Sequence, residues 1–135
     1  MKDAFELNTI MYRVLAAANI GNKGGIYKND TRPVDSKAED IVVNVIALEL
    51  DELPQKATTN VNIYVADKPQ NINGKNMLVE DTTRLEKLSL NVVSALKSAY
   101  VEGLKFVSES QTIFDEPSIN QHCVNIRVRW NIQTD

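Results

Sequence analysis

The sequence has little of what disulfide formation or membrane insertion requires. It contains one cysteine among 135 residues, so no internal disulfide can form and a reducing compartment is expected. No apolar run approaches the roughly 20 residues that cross a bilayer. Asp3 and Glu6 interrupt the N-terminal segment, which is unlike a signal peptide. We therefore expect a soluble, intracellular protein with no membrane partner.

The chain also lacks a basic excess. Its net charge is -3, whereas general nucleic-acid binders carry a surplus of lysine and arginine. Apolar residues make up 43% and charged residues 24%, as in ordinary folded domains. A length of 135 residues suits one domain with its own core. We expect a single domain over residues 1–135 and no sequence-specific binding of nucleic acid.

The few glycines do not form a phosphate-binding loop. Gly21, Gly24 and Gly25 follow a predicted helix and precede a predicted strand, whereas a Walker loop joins a strand to a helix and ends in Gly-Lys-Ser/Thr. The dinucleotide spacing G-x-G-x-x-G is absent as well. The segment GGIYKNDTRP, residues 24–33, is therefore predicted to turn the chain into a sheet, and no cofactor is expected.

No catalytic or metal-binding pattern is visible either. His122 and Cys123 are adjacent, but neighbours in a strand point to opposite faces and do not pair. We expect a surface histidine and a buried thiol. With one histidine, a zinc or iron site would depend on carboxylates, and the acidic residues Glu49, Asp51 and Glu52 lack the spacing of a calcium loop. The sequence predicts no catalytic residues, no metal and no enzyme activity.

Apolar spacing predicts two helices. The first covers about residues 4–19, where apolar side chains recur every three or four positions. The second covers about residues 82–102. It begins with the capping-box pair Thr83 and Glu86 and ends before Gly103.

Strands are predicted at residues 26–27, 41–48, 59–67, 105–115 and 123–133. Residues 41–48 are apolar on both faces, which indicates a strand covered on both sides or one at a subunit interface. Strand 123–133 alternates: Val124, Ile126, Val128, Trp130 and Ile132 share one face, and Arg127 and Arg129 lie on the other. Residues 68–81 are predicted to be a long loop that carries a contact. The fold class is α+β, an antiparallel or mixed sheet of about four to five strands with two helices packed on one face.

The order of these segments resembles a known family. GGIYKNDTRPVDSKAEDIVVNVIAL is followed by the strand VNIYVAD, by the helix RLEKLSLNVVSAL and by a closing hairpin. This order is similar to the small tail-terminator and head-tail neck proteins of tailed bacteriophages and prophages. The resemblance implies a ring, commonly six-fold, that ends tail-tube growth and joins tail to head.

The same resemblance implies partners and contact positions, and no catalytic residues or cofactor. The implied partners are copies of the chain, a tail-tube protein and a head connector or neck protein, in a virion assembled in the host bacterial cytoplasm. The candidate interface residues lie in segments 28–40 and 68–81 and in the last strand: Arg32, Pro33, Asn71, Asn73, Arg127 and Arg129. The last two arginines are interpreted either as surface ion pairs or as contacts to an acidic partner such as residues 49–52.

Two other function classes stay open at this point. A small-molecule-binding or enzymatic α+β domain would need a concave site with convergent polar groups. A nucleic-acid-binding module would have to use the polar strand face of Asn60, Asn62 and Tyr64, against the acidic balance of the chain.

Overall fold

In the computed structural model, which describes residues 1–134, the chain forms two helices and seven strands. The helices are α1 (Ala4–Ala17) and α2 (Thr82–Ser98). The strands are β1 (Ile26–Lys28), β2 (Ile41–Leu48), β3 (Gln55–Ala66), β4 (Lys68–Ile72), β5 (Lys75–Val79), β6 (Leu104–Glu116) and β7 (Gln121–Ile132). A short 3-10 turn, Pro117–Ile119, joins β6 to β7.

Five strands form one mixed sheet in the order β1-β2-β3-β7-β6. β1 is parallel to β2, and the other pairs are antiparallel. The two long central strands pair along their whole length, from Gln55 opposite Ile132 to Ala66 opposite Gln121. The α+β class and the mixed sheet confirm the prediction from the sequence.

Both helices cover one face of this sheet and enclose the core. The sequence periodicity explains the packing, because the buried helix residues recur at three- and four-residue spacing. They meet the apolar face of the sheet, where each fully buried aliphatic side chain contributes about 1.5–3 kcal/mol. The buried set includes Leu7, Met11, Leu15, Leu85, Leu88, Val92, Val61, Ile63, Ile126, Val128 and Trp130. The predicted alternation of the last strand is confirmed.

Residues 41–48 were predicted to be covered on both sides or to lie at a subunit interface, and the first three residues of β2 are covered within the chain. Ile41, Val42 and Val43 are buried, whereas Ile46 is exposed. The short β1 pairs only with residues 41–43. A register shift between Val45 and Ala47 then bends the strand where that pairing has ended.

The ends of α2 differ from the prediction. Its N-cap is Asp81, whose carboxylate accepts a hydrogen bond from the Arg84 amide at 3.3 Å, and Thr83 lies inside the first turn. The helix ends at Ser98 and does not reach residue 102. Residues 99–103 are needed for the turn into β6, in which Val101 bridges Leu104 and Gly103 has a φ of 74°.

The prediction of a loop at residues 68–81 was wrong. β4 and β5 pair as an antiparallel hairpin around Asn73 and Gly74, which have φ values of 53° and 82°. Two successive positive φ values define the tight turn that suits the twist of a hairpin, and Asn-Gly is its strongest signal. We call this hairpin, residues 68–79, the arm.

Candidate functional site

The glycine turn before β1 binds a carboxylate of its own chain. The Gly25 amide donates to Asp40 Oδ1 at 2.9 Å, and the Gly24 amide donates to the Glu39 carbonyl at 3.0 Å. A Cβ at Gly24 would lie 2.2 Å from Asp40 Oδ1, so only glycine fits this approach. The Gly25 amide is therefore used within the fold, and the segment turns the chain as predicted.

Arg32 fixes the segment between β1 and β2 onto the sheet. Its Nε donates to Asp40 Oδ2 at 2.9 Å, and its Nη2 donates to Gln121 Oε1 at 2.8 Å. Its Cζ lies 3.9 Å from the centre of the Tyr64 ring, a cation-π contact. The side chain of Arg32 is 14% exposed and that of Asp40 is 1% exposed. Of the predicted interface residues in this segment, Arg32 thus makes internal contacts, and Pro33 is exposed.

A second ion pair ties α2 to the same turn. Arg84 donates to both oxygens of Glu39, from Nε at 2.7 Å and from Nη2 at 2.5 Å, and also to the Gly21 carbonyl at 3.0 Å. Bidentate pairs of this kind fix orientation as well as distance. Both carboxylates of the turn are therefore satisfied by arginines from other segments.

These two pairs predict a loss of stability in acid. Hydrogen bonds from Arg84 lower the pKa of Glu39 below its ordinary value of 4.5. Burial alone would raise the pKa of Asp40, but hydrogen bonds from Ser36, Arg32 and Gly25 outweigh it and lower that pKa below 3.8. Because both pKa values are lower in the folded chain, the stabilisation is present above the unfolded values and is lost as the pH falls through the folded ones.

Urea unfolding between pH 6 and pH 2 measures this effect. We expect the unfolding free energy to fall below about pH 4.5, and Asp40→Asn to flatten that dependence. The matched control is Asp35→Asn, which changes an exposed carboxylate of the same segment and should leave the slope unchanged. Equal slopes for the wild type and Asp40→Asn would contradict the assignment.

The arm extends from the body of the protein. Every residue from 68 to 78 is exposed, and β4 and β5 pack on each other and, beyond isolated contacts, on no other helix or strand of residues 1–134. Asn71 shapes the tip, since its Oδ1 accepts from the Gly74 amide at 3.1 Å and its Nδ2 donates to Asn76. Asn73 occupies the turn itself. The two predicted asparagines therefore lie together at the tip of the arm.

Arg127 and Arg129 lie on the sheet face opposite the helices. Both are exposed, and within residues 1–134 neither guanidinium has an ion-pair or hydrogen-bond partner. Glu49, the first residue of the acidic stretch 49–52, lies near Arg129, since both line one depression of about 270 Å³. A head-to-tail contact through these arginines therefore needs carboxylates from another surface of the neighbouring copy.

His122 is surrounded by carboxylates at the root of the arm. Its Nδ1 lies 2.6 Å from Asp67 Oδ1, while its Nε2 lies 3.7 Å from Asp115 Oδ1 and 3.9 Å from Glu80 Oε1. Burial would lower the pKa of His122, but Asp67, Asp115 and Glu80 raise it above its ordinary value. The predicted surface histidine is thus partly buried and paired.

The neighbouring cysteine is buried, as predicted. Burial raises the pKa of the Cys123 thiol to about 12, so the thiol stays protonated at neutral pH and is a poor nucleophile. No motif in the sequence pointed to the histidine cluster, because its four members come from separate segments. Asp67 and His122, for example, are 55 positions apart.

A groove of about 680 Å³ lies between the C-terminal ends of the two helices. Small side chains dominate its wall, with Arg13 and Tyr100 as its titratable groups. Within residues 1–134, no carboxylate, histidine or cysteine lines this groove. Among these lining residues, the groove therefore contains no acid-base pair of the kind that an enzymatic domain would use.

Comparison with known proteins gives no family. No protein-family model and no curated protein matches the chain. A solved structure described as the virion of a native gene transfer agent particle contains a chain with a TM-score of 0.46 and 10% identity to this one. The alignment covers 97% of this chain and 90% of that chain. Similarity at this level assigns no function. Within residues 1–134, neither helix is long and apolar enough to cross a membrane.

Proposed function

We propose that the chain is a structural component of a phage-type virion and acts without catalysis. In the finer form of the proposal, it is a ring-forming tail-terminator or neck subunit that ends tail-tube growth and joins tail to head. Its order of segments resembles that family over most of the chain. The structural observation that carries the proposal is the arm, which projects from the body and, beyond isolated contacts, packs on no other helix or strand of residues 1–134.

The arm has the properties of a segment that binds another molecule. An isolated two-stranded hairpin is marginally stable in water. This arm nevertheless exposes 38% of Ile72, 48% of Met77 and 53% of Leu78. Burying such side chains against a neighbour releases about 25 cal/mol per Å² of apolar surface. A neighbouring copy that covers the arm would stabilise both the arm and the assembly.

A ring also needs two different surfaces on each subunit. Contacts that close by rotation are head-to-tail, so one surface of each copy meets another surface of the next. The arm is one such surface, and the open sheet face with Arg127 and Arg129 is a second one that lies on the main sheet. The tail-tube protein and the head connector are the further partners in this proposal, in a virion assembled in the bacterial cytoplasm.

Reversing the charge of the two open-face arginines tests the second surface. We expect Arg127→Glu with Arg129→Glu to prevent ring formation and to leave the helical signal unchanged, because both side chains are exposed and form no hydrogen bond or ion pair within residues 1–134. Light scattering after size exclusion, with negative-stain imaging, measures the assembly over a range of concentration and salt, with and without purified tail tubes.

The matched control carries the same charge change on α2. Lys87→Glu with Lys97→Glu alters two exposed lysines and should leave the assembly intact. Rings that persist in the arginine variant would remove these arginines from the interface. A chain that forms no ring and caps no tail tube under any condition would contradict the proposed function.

A further inference from the structure

We propose that His122, Asp115 and Glu80 bind a divalent transition metal such as Zn²⁺, with Asp67 orienting the imidazole. The four residues come together from four places: between β3 and β4, after β5, in β6 and in β7. They adjoin the root of the arm. This site does not depend on the proposed virion function.

The orientation of the His122 imidazole is the first observation that supports a metal site. Nδ1 lies within hydrogen-bond distance of Asp67 Oδ1, at 2.6 Å. When this nitrogen donates its proton to the carboxylate, the lone pair of Nε2 points away from Asp67. Metal-binding histidines are held in this way by a carboxylate on the other ring nitrogen, which fixes the tautomer and raises the basicity of the ligand.

The distances from His122 Nε2 to the neighbouring carboxylate oxygens are the second observation that supports a metal site. Zinc bonds to histidine nitrogen and carboxylate oxygen are about 2.0–2.2 Å long, so two ligands at a tetrahedral angle lie about 3.4 Å apart. Asp115 Oδ1 and Glu80 Oε1 lie 3.7 and 3.9 Å from Nε2. The ligand atoms of His122, Asp115 and Asp67 already lie within 4.8 Å of one another. The Asp115 and Glu80 side chains are 63% and 29% exposed, so rotation of both would bring their oxygens to one metal.

The negative charge around His122 is the third observation that supports a metal site. Three carboxylates surround one imidazole, so the cluster carries excess negative charge whether or not the histidine is protonated. A divalent cation between Nε2 and two of these carboxylates would reduce that repulsion. One nitrogen and two oxygens are a ligand set that zinc accepts, and water would complete the coordination.

A metal at this position would also restrain the arm. Asp67 directly precedes β4, and Glu80 directly follows β5. Asp115 and His122 belong to the β6-β7 hairpin of the main sheet. Coordination would therefore link the root of the arm to the body, and Thr82 already holds Glu80 by donating to its Oε2 at 2.7 Å.

Isothermal titration of the full chain with Zn²⁺ alone, at pH 7.5 in a buffer that does not chelate metals, tests the site. We expect one Zn²⁺ per chain and a higher melting temperature when it is bound. His122→Gln and Asp115→Asn should each weaken binding more than tenfold. Asp67→Asn should weaken it 10- to 100-fold, because it removes only the group that orients the imidazole.

Two control variants separate this site from other zinc ligands. Glu109→Gln changes an exposed carboxylate of the same strand as Asp115, and Cys123→Ser removes the buried thiol. Both should bind Zn²⁺ like the wild type. Co²⁺ in place of Zn²⁺ should give visible absorption without a thiolate charge-transfer band. Circular dichroism verifies that each variant is folded.

Three results would contradict the proposed metal site. If the wild type binds Zn²⁺ no more tightly than His122→Gln, the cluster is an ion-pair network around a protonated imidazole and the metal site is wrong. If Cys123→Ser abolishes binding, zinc reaches the thiol and the proposed ligands are wrong. If Asp67→Asn leaves the affinity unchanged, the orienting role assigned to Asp67 is wrong.

Discussion

Replacing Arg32 by alanine is expected to lower the unfolding free energy by about 3–5 kcal/mol, the usual cost of breaking a buried ion pair by removing one partner. Asp40 is 1% exposed, and Arg32 supplies its charged partner. The substitution leaves a carboxylate in the interior with donors only from Ser36 and the Gly25 amide. It also removes the hydrogen bond to Gln121 and the contact with Tyr64.

Urea denaturation measures this change, with two comparison variants. Arg32→Lys keeps the charge but cannot donate to Asp40 and Gln121 through one planar group, so we expect an intermediate loss. Lys37→Ala, an exposed residue of the same segment, should change the unfolding free energy by less than about 0.5 kcal/mol. A loss below about 1 kcal/mol for Arg32→Ala would show that the segment is held by other contacts.

Shortening the arm is expected to abolish assembly while the body of the protein stays folded. Lys68 and Val79 are directly opposite each other in the hairpin, so an Asn-Gly turn in place of residues 69–78 can close it at its root. Because β4 and β5 pack on no other element beyond isolated contacts, the unfolding free energy should change by less than about 1 kcal/mol. Light scattering and electron microscopy then measure the loss of rings.

A milder variant separates the length of the arm from its apolar surface. Substitution of threonine for Ile72, Met77 and Leu78 together keeps strand-forming residues but removes most of the exposed apolar area. Assembly should weaken in proportion to that area. Rings that form normally with the short arm would contradict the proposed contact, whereas a large loss of stability would show that the arm packs on its own body.

Helices and strands with one apolar face could be predicted from the sequence, because their burial depends on local spacing. The apolar residues of α1 and the alternation of Val124 to Ile132 in β7 each specify one buried face, and a face of that kind needs a second layer. Two such helices and several such strands lead to the α+β class. The arm could also have been predicted, because Asn73-Gly74 is a hairpin signal within the sequence, but the polar composition of residues 68–81 favoured a loop.

The contacts of the polar residues could not be predicted from the sequence and depend on the folded arrangement of distant segments. Whether Arg32 is available to a partner or makes internal contacts depends on its hydrogen bond to Gln121, which is 89 positions away. His122 is a surface residue or the centre of a charged cluster depending on Asp67, Glu80 and Asp115, which come from three other segments. The reason is physical. Apolar burial repeats along one element and is recorded in its periodicity, whereas the partner of a charged side chain is set by which segments the sheet brings side by side.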